Sequence, residues 1–209
     1  MQNQSTIRLR DRAVATLGRA LGAQVYTAAD FAALSMHGKF TVRHGRRGRV
    51  IQEWAIPNLI TNEGKNHILN VEFDGTTALT TWYLGLIDNA SFTAVAASDN
   101  YDNINQAGNG WDEFTSYTDR NNANSAVTRP VWPTNAASGQ AITNTTLAIY
   151  DFTGAGTVKG LFVCAGTNAV TKGDHTSGTG HILWAATPFS STVDVINGDD
   201  LSVTYTVSW

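Results

Sequence analysis

A chain of 209 residues with 15% charged side chains, one cysteine and a formal net charge of −3 can bury one sizeable core. The lone Cys164 excludes an intrachain disulfide framework, and no run approaches the roughly 18 apolar residues of a membrane span. The near-neutral total hides a sorted distribution: residues 1–50 hold nine Arg or Lys against two Asp, a net +7, and residues 51–209 hold five against fifteen, a net −10.

A chain divided in this way behaves as a basic arm joined to an acidic body. The arm suits nucleic acid, an acidic protein partner, or the acidic body of a neighbouring copy. Eight of the nine basic residues are Arg, whose planar fork makes fixed, bidentate contacts with carboxylates and phosphates. Arg8, Arg10, Arg12, Arg19, Arg43, Arg46, Arg47 and Arg49 are therefore the candidate partner-binding residues.

Residues 1–36 form the first unit, an N-terminal basic arm. Ile7, Leu9, Val14, Leu17 and Leu21 recur at near-helical spacing, and Gly18 and Gly22 weaken that helix by about 1 kcal/mol each relative to Ala. The segment has too few apolar residues to fold alone, so it is expected to become ordered only against another surface. Arg8 to Arg12 lead into a Gly-broken stretch unlike a secretory leader, and a soluble protein made in the cytoplasm is expected.

Residues 37–56 read as a β-hairpin extension. Phe40, Val42 and His44 alternate with polar residues, as do Val50, Gln52 and Trp54 on the return, and His44-Gly45-Arg46-Arg47-Gly48 supplies the connection. Residues 57–209 read as the body. A helix is expected within Pro57–Phe73, capped by Thr61 or Asn62, with Glu63 in its first turn and Ile68, Leu69 and Val71 on its apolar face.

The remainder has β character. Trp82–Ile87 is a buried run, and Trp111–Thr118 alternates through Trp111, Glu113, Thr115 and Tyr117. Strands are also expected at Ala141–Asn144, Leu147–Thr153, Thr157–Ala165, His181–Ala186 and Leu201–Trp209, the last announced by the turn Asn197-Gly198-Asp199. Residues 99–110 and 119–139 read as long surface loops. The fold class is mainly β: an antiparallel β-sandwich or jelly-roll-like body with an N-terminal helical arm and a β-hairpin.

The search for chemistry yields no catalytic residues. Gly154-Ala-Gly156-Thr-Val-Lys-Gly160 lacks the Gly-Lys-Ser/Thr ending of a phosphate loop and sits between two strands. Asp174, His175 and His181 fall close together but without the helical pairing or cysteine support of a metal centre, so no metal and no cofactor is implied. No Gly-x-Ser-x-Gly elbow is present. Asp112-Glu113 and Asp199-Asp200 are strand neighbours that point to opposite faces, and they read as turn or surface charges. Cys164, in Leu161-Phe-Val-Cys164, reads as a buried strand position. Trp54, Trp82, Trp184 and Trp209 lie in apolar strand patterns, whereas Trp111 and Trp132 flank loops and are the candidate surface aromatic contacts.

Several stretches form a recognisable text: Pro57-Asn-Leu-Ile-Thr-Asn-Glu-Gly64, Asn66-His-Ile-Leu69, Thr81-Trp-Tyr-Leu-Gly-Leu-Ile87, Gly110-Trp-Asp-Glu113 and Arg129-Pro-Val-Trp132. It continues through Gly156-Thr-Val-Lys-Gly-Leu-Phe162, Ile182-Leu-Trp-Ala-Ala-Thr-Pro188 and Asn197-Gly-Asp-Asp-Leu-Ser-Val-Thr-Tyr205. Over about residues 38–209 the chain resembles small virion structural proteins of tailed bacteriophages and prophages. The resemblance implies capsid decoration, or cement, with the major capsid protein and neighbouring copies as partners. It places the protein in the virion, at the capsid surface, after assembly in the bacterial cytoplasm. A neck or tail component, and a carbohydrate-binding receptor module using Trp111 and Trp132, are the alternatives. For the basic residues, acidic protein surface is favoured over DNA, because the interleaved Ile7, Leu9, Val14, Leu17 and Leu21 need an apolar groove that duplex backbone lacks.

Overall fold

The computed structural model describes residues 35–90, 92–104, 110–175 and 180–209. The chain divides into two units, Met1–Met36 with Trp209, and His37–Ser208, and every element named here belongs to the second. The helical arm expected over residues 1–36 lies, but for residues 35 and 36, outside the described residues.

The second unit is mainly β, as the alternating short segments predict. Among the described residues, eleven strands and one α-helix follow in order: β1 His37–Arg46, β2 Arg49–Pro57, β3 Leu59–Ile60, α1 Asn62–Phe73, β4 Trp82–Asp88, β5 Glu113–Phe114, β6 Tyr117–Asp119, β7 Ala141–Thr143, β8 Ala148–Phe152, β9 Gly156–Ala165, β10 Ile182–Val195 and β11 Asp199–Ser208. They form two antiparallel sheets. One runs β2-β1-β11-β8-β6, with β7 also on β11, and the other runs β3-β10-β9-β4-β5.

The period of two decides what each strand buries. In β11, Leu201, Val203, Tyr205 and Val207 are buried and the residues between them are half-buried, so one face meets the core. Aromatic pairs join the sheets: Trp54 on β2 meets Phe189 on β10 edge-on at 5.1 Å, and Phe114 on β5 meets Phe152 on β8 at 5.8 Å. Trp184 on β10 donates Nε1 to the Tyr205 hydroxyl at 2.8 Å, so this interior aromatic has its polar atom satisfied.

The second sheet is buried on both faces along much of β4 and β9 and the first half of β10. Leu84 and Leu86 face the sandwich, while Ile87, Phe162, Cys164 and Leu183 face outward into a second apolar cluster with Tyr101, Ile104, Trp111 and Ala169. The stretches expected as surface loops supply much of this cover, which corrects that expectation. Their polar backbone is paid out in turn contacts around a few buried anchors, not in regular strands. Gly85 shows how close the packing is: a Cβ there would fall inside the Phe162 ring.

Three further expectations are revised. The hairpin is no extension: all ten residues of β1 pair with β11, from His37↔Ser208 to Arg46↔Asp199, and Phe40 and Val42 are fully buried. Two-stranded hairpins are marginal alone, and this one is completed by becoming the end of a sheet. The segment 111–118 is not one strand but two short ones in different sheets. β10 continues well past Ala186, through Pro188, where its register against β9 shifts. A proline donates nothing to a ladder, and such an irregularity accommodates it.

The two-layer packing makes a direct prediction. Phe40→Ala should destabilise the protein by about 3–5 kcal/mol in chemical denaturation, the usual cost of emptying a buried aromatic site. An appended hairpin would give no measurable change.

Candidate interaction surface

The hairpin connection is tighter than the sequence suggests. Arg46 pairs with Arg49, leaving Arg47 and Gly48 as a two-residue turn with φ of 52° and 73°. Two left-handed residues in succession match the twist of the flanking strands. Gly48 adopts that conformation freely, but Arg47 gives up about 1–2 kcal/mol of backbone preference to hold its guanidinium at the tip. Gly45, expected in the connection, lies within β1 against the Asp200 side chain.

The candidate arginines have different fates. Arg46 is spent inside the fold: Nε donates to Asp199 Oδ1 at 2.8 Å and an Nη to Oδ2 at 2.6 Å. Buried His44 places Nε2 3.0 Å from the same Oδ2, and the Ile196 N–H donates to it at 3.1 Å. The Arg46 guanidinium, against the cost of burial and with help from His44, holds the Asp199 carboxyl down at about 2. This corrects two expectations at once, since Arg46 is committed within its own chain and Asp199 is buried, not a surface charge. Arg43 donates to Glu53 at 3.0 Å across the hairpin and stays exposed. Arg47 and Arg49 are both exposed. Arg8, Arg10, Arg12 and Arg19 lie outside the described residues.

Beside these charges runs an unusual strand. β2 ends its sheet, and seven of its nine residues are exposed, including Val50 at 61% and Ile51 at 51%. A long exposed edge presents unpaired backbone groups, which proteins normally guard. Here the guards are Arg49, Glu53, Pro57 and a register shift between His44 and Gly45.

Trp111 and Trp132 are not surface contacts. Trp111 is buried, donates Nε1 to Asp99 Oδ2 at 3.0 Å and packs on Phe162. Trp132 is buried and donates Nε1 to the Tyr205 carbonyl at 3.0 Å. Both rings flank loops in sequence, but those loops fold onto the sandwich and carry the rings inward.

Sequence reasoning missed the most demanding group. Arg129 is fully buried and forks onto Glu113, with Nε to Oε1 at 2.8 Å and an Nη to Oε2 at 2.7 Å. It also donates to the Ala169 carbonyl at 2.9 Å, the Asp174 carbonyl at 2.9 Å and the Tyr101 hydroxyl at 3.2 Å. The Gly173 N–H completes Glu113 Oε2 at 2.6 Å, and the guanidinium lies 5.3 Å from the Phe162 ring centre. The pair thus ties β5, the 127–132 segment and the 166–174 segment to the outer face of β9. The one available signal was an Arg beside Pro130 and Trp132 in a chain with few charges. Buried Cys164 lies under this network, and burial first of all pushes its thiol up to about 12, which suits packing and not nucleophilic chemistry.

Among the other polar residues, His181 stacks on Tyr101 and its Nε2 accepts from the Asn168 N–H at 3.0 Å. His175 is held to the Gly173 carbonyl. Among the described residues no cluster of three or more His, Cys, Asp or Glu is placed to hold a metal ion.

Helix α1 is positioned by its first turn. Thr61 Oγ1 accepts from the Gly64 N–H at 3.0 Å and donates to the Leu183 carbonyl, and buried Gly64 rests directly on Trp184. Glu63 accepts from the Leu183 N–H at 2.6 Å and the Tyr101 N–H at 2.9 Å, and burial raises its carboxyl above the ordinary range. The expected apolar face is not covered: Ile68 and Val71 are half-buried and Leu69 is exposed. A shallow cleft of about 370 Å³ lies alongside, lined by Asn66, Asn70, Ser98 and Asn100 among others. Among the described residues no helix is long and apolar enough to cross a membrane. The chain matches no model of a known protein family and none of the curated proteins compared with it.

Two measurements test the buried charges. Glu113→Gln leaves Arg129 buried without a counter-ion and should cost about 3–5 kcal/mol, and replacing both partners by apolar residues should recover much of that loss. Asp199 has its folded pKa depressed to about 2, so its contribution is present at neutral pH and is lost as pH falls through that value. Asp199→Asn should therefore be less stable than wild type near pH 7, with the gap closing towards pH 2 in parallel denaturation curves.

Proposed function

We propose that this protein is a non-enzymatic structural component of a tailed-phage virion, a capsid decoration protein that binds the major capsid protein and stabilises the head. The observation that carries this reading is the β1–β2 hairpin. It holds exposed Arg47 and Arg49 beside exposed Val50 and Ile51 on a long edge strand. Such a combination of apolar area and fixed positive charge suits an acidic protein surface: the apolar part supplies burial and the Arg residues supply orientation. Duplex DNA would reward the charge but leave the two aliphatic side chains in water.

Other features agree. The prominent carboxylates are engaged in structure, Glu113 by Arg129 and Asp199 by Arg46 and His44. The carbohydrate-binding alternative loses its two candidate residues, because Trp111 and Trp132 are buried. In this proposal Arg8, Arg10, Arg12 and Arg19 bind the major capsid protein, and many weak contacts add up through high effective concentration on the shell.

Quantitative mass spectrometry of purified virions tests the proposal. A decoration protein should be present at a copy number comparable to that of the major capsid protein. A small fraction of that number would place the chain in a neck or tail ring, and absence from the particle would sink the virion reading.

A further inference from the structure

The surface carries two apolar patches with opposite charge. The first is the hairpin tip, where Val50 is 61% and Ile51 51% exposed beside exposed Arg47 and Arg49. The second lies on α1, where Leu69 is 53% and Phe73 84% exposed. Leu69 and Phe73 are four residues apart and share one face of the helix. Exposed Glu72 and Asp74 flank Phe73, one on each side of it. Single exposed apolar side chains are ordinary on protein surfaces, but paired ones with a polar rim mark contact sites; here the tip of the hairpin is basic and the C-terminal end of α1 is acidic, with Glu53 and Lys65 further along each element.

We propose that the two patches bind each other between copies: the hairpin tip of one chain docks on α1 of the next. Arg47 and Arg49 face Glu72 and Asp74 of the neighbour, and Val50 and Ile51 cover its Leu69 and Phe73. This rests on the reading of the hairpin as a protein-contact surface and gives that surface to a second copy, leaving the major capsid protein to Arg8, Arg10, Arg12 and Arg19.

The charges select the arrangement. Two hairpin tips brought together would oppose Arg47 and Arg49 to the same residues, and two α1 C-terminal ends would oppose Glu72 and Asp74 likewise. Tip-with-tip and end-with-end pairing is disfavoured, and pairing of the hairpin tip with the C-terminal end of the helix is favoured. Both halves of the interface are present on one chain, so no other molecule is needed to complete it. The contact is heterologous, so it closes into a ring or continues as a chain of subunits, depending on the rotation between copies. Apolar burial supplies the attraction, and the rim charges give orientation and salt dependence.

Sedimentation velocity on the full chain, over a concentration series at low salt, tests this. Wild type should self-associate, and added salt should weaken the association. Arg47→Glu with Arg49→Glu, and separately Glu72→Arg with Asp74→Arg, should each raise the dissociation constant by at least about tenfold. The chain carrying all four substitutions should recover most of the wild-type association. Phe73→Ser, at a site that contributes no core packing, should weaken association with unchanged circular dichroism and melting temperature. A wild type that stays monomeric throughout overturns the proposal. So does a helix variant that associates as well as wild type, or a four-fold variant that fails to recover. None of these outcomes bears on copy number in the virion, so failure here is distinct from failure of the virion reading.

Discussion

A buried ion pair between Arg129 and Glu113 sets conditions that much of the structure must meet. Neither group can sit in an apolar interior unless its partner and its remaining hydrogen-bonding positions are supplied together. The chain meets that demand by bringing four separated segments to one place. Glu113 comes from β5, Arg129 from the segment before Trp132, the carbonyls of Ala169 and Asp174 from the 166–174 segment, and the Tyr101 hydroxyl from the short turn after residue 100. In this arrangement the guanidinium donates to Glu113, Tyr101, Ala169 and Asp174 together. The desolvation of both charges offsets much of their attraction, and their shared partners hold irregular chain as an outer layer over the second sheet.

That layer explains why the sandwich has unequal faces. The first sheet turns Ser202, Thr204, Thr206 and Ser208 of β11 outward, a polar surface that needs no cover. The second sheet has apolar residues on both faces of β9 and β4 and requires a cover. Loops rich in Asn and Gly provide it, because such residues turn sharply enough to place a few large anchors without forming a third sheet. The hydrophobic demand of one sheet and the polar demand of one ion pair are met by the same segments.

Charge is distributed by the same economy. With few ionisable residues available, those inside are locked to partners, as with Arg46, His44 and Asp199 at the junction of β1 and β11. Among the exposed charges, Arg47 and Arg49 on the hairpin and Glu72 and Asp74 on the helix lie next to uncovered aliphatic and aromatic side chains.

Much of the sandwich was legible in the chain because burial on one face imposes an alternation that local sequence records. β1, β8 and β11 carry it, and Thr61 and Glu63 announce the start of α1 by their capping chemistry. The sequence by itself determined where most of the longer strands lie, where the helix begins and where positive charge is concentrated, since each follows from interactions within a few residues. Tertiary structure alone decided that β1 completes a sheet with β11, that Arg46 answers Asp199, that Trp111 and Trp132 turn inward, and that Arg129 finds Glu113. Those outcomes join residues far apart in the chain, and their energies depend on burial and on the geometry of partners that no local pattern encodes.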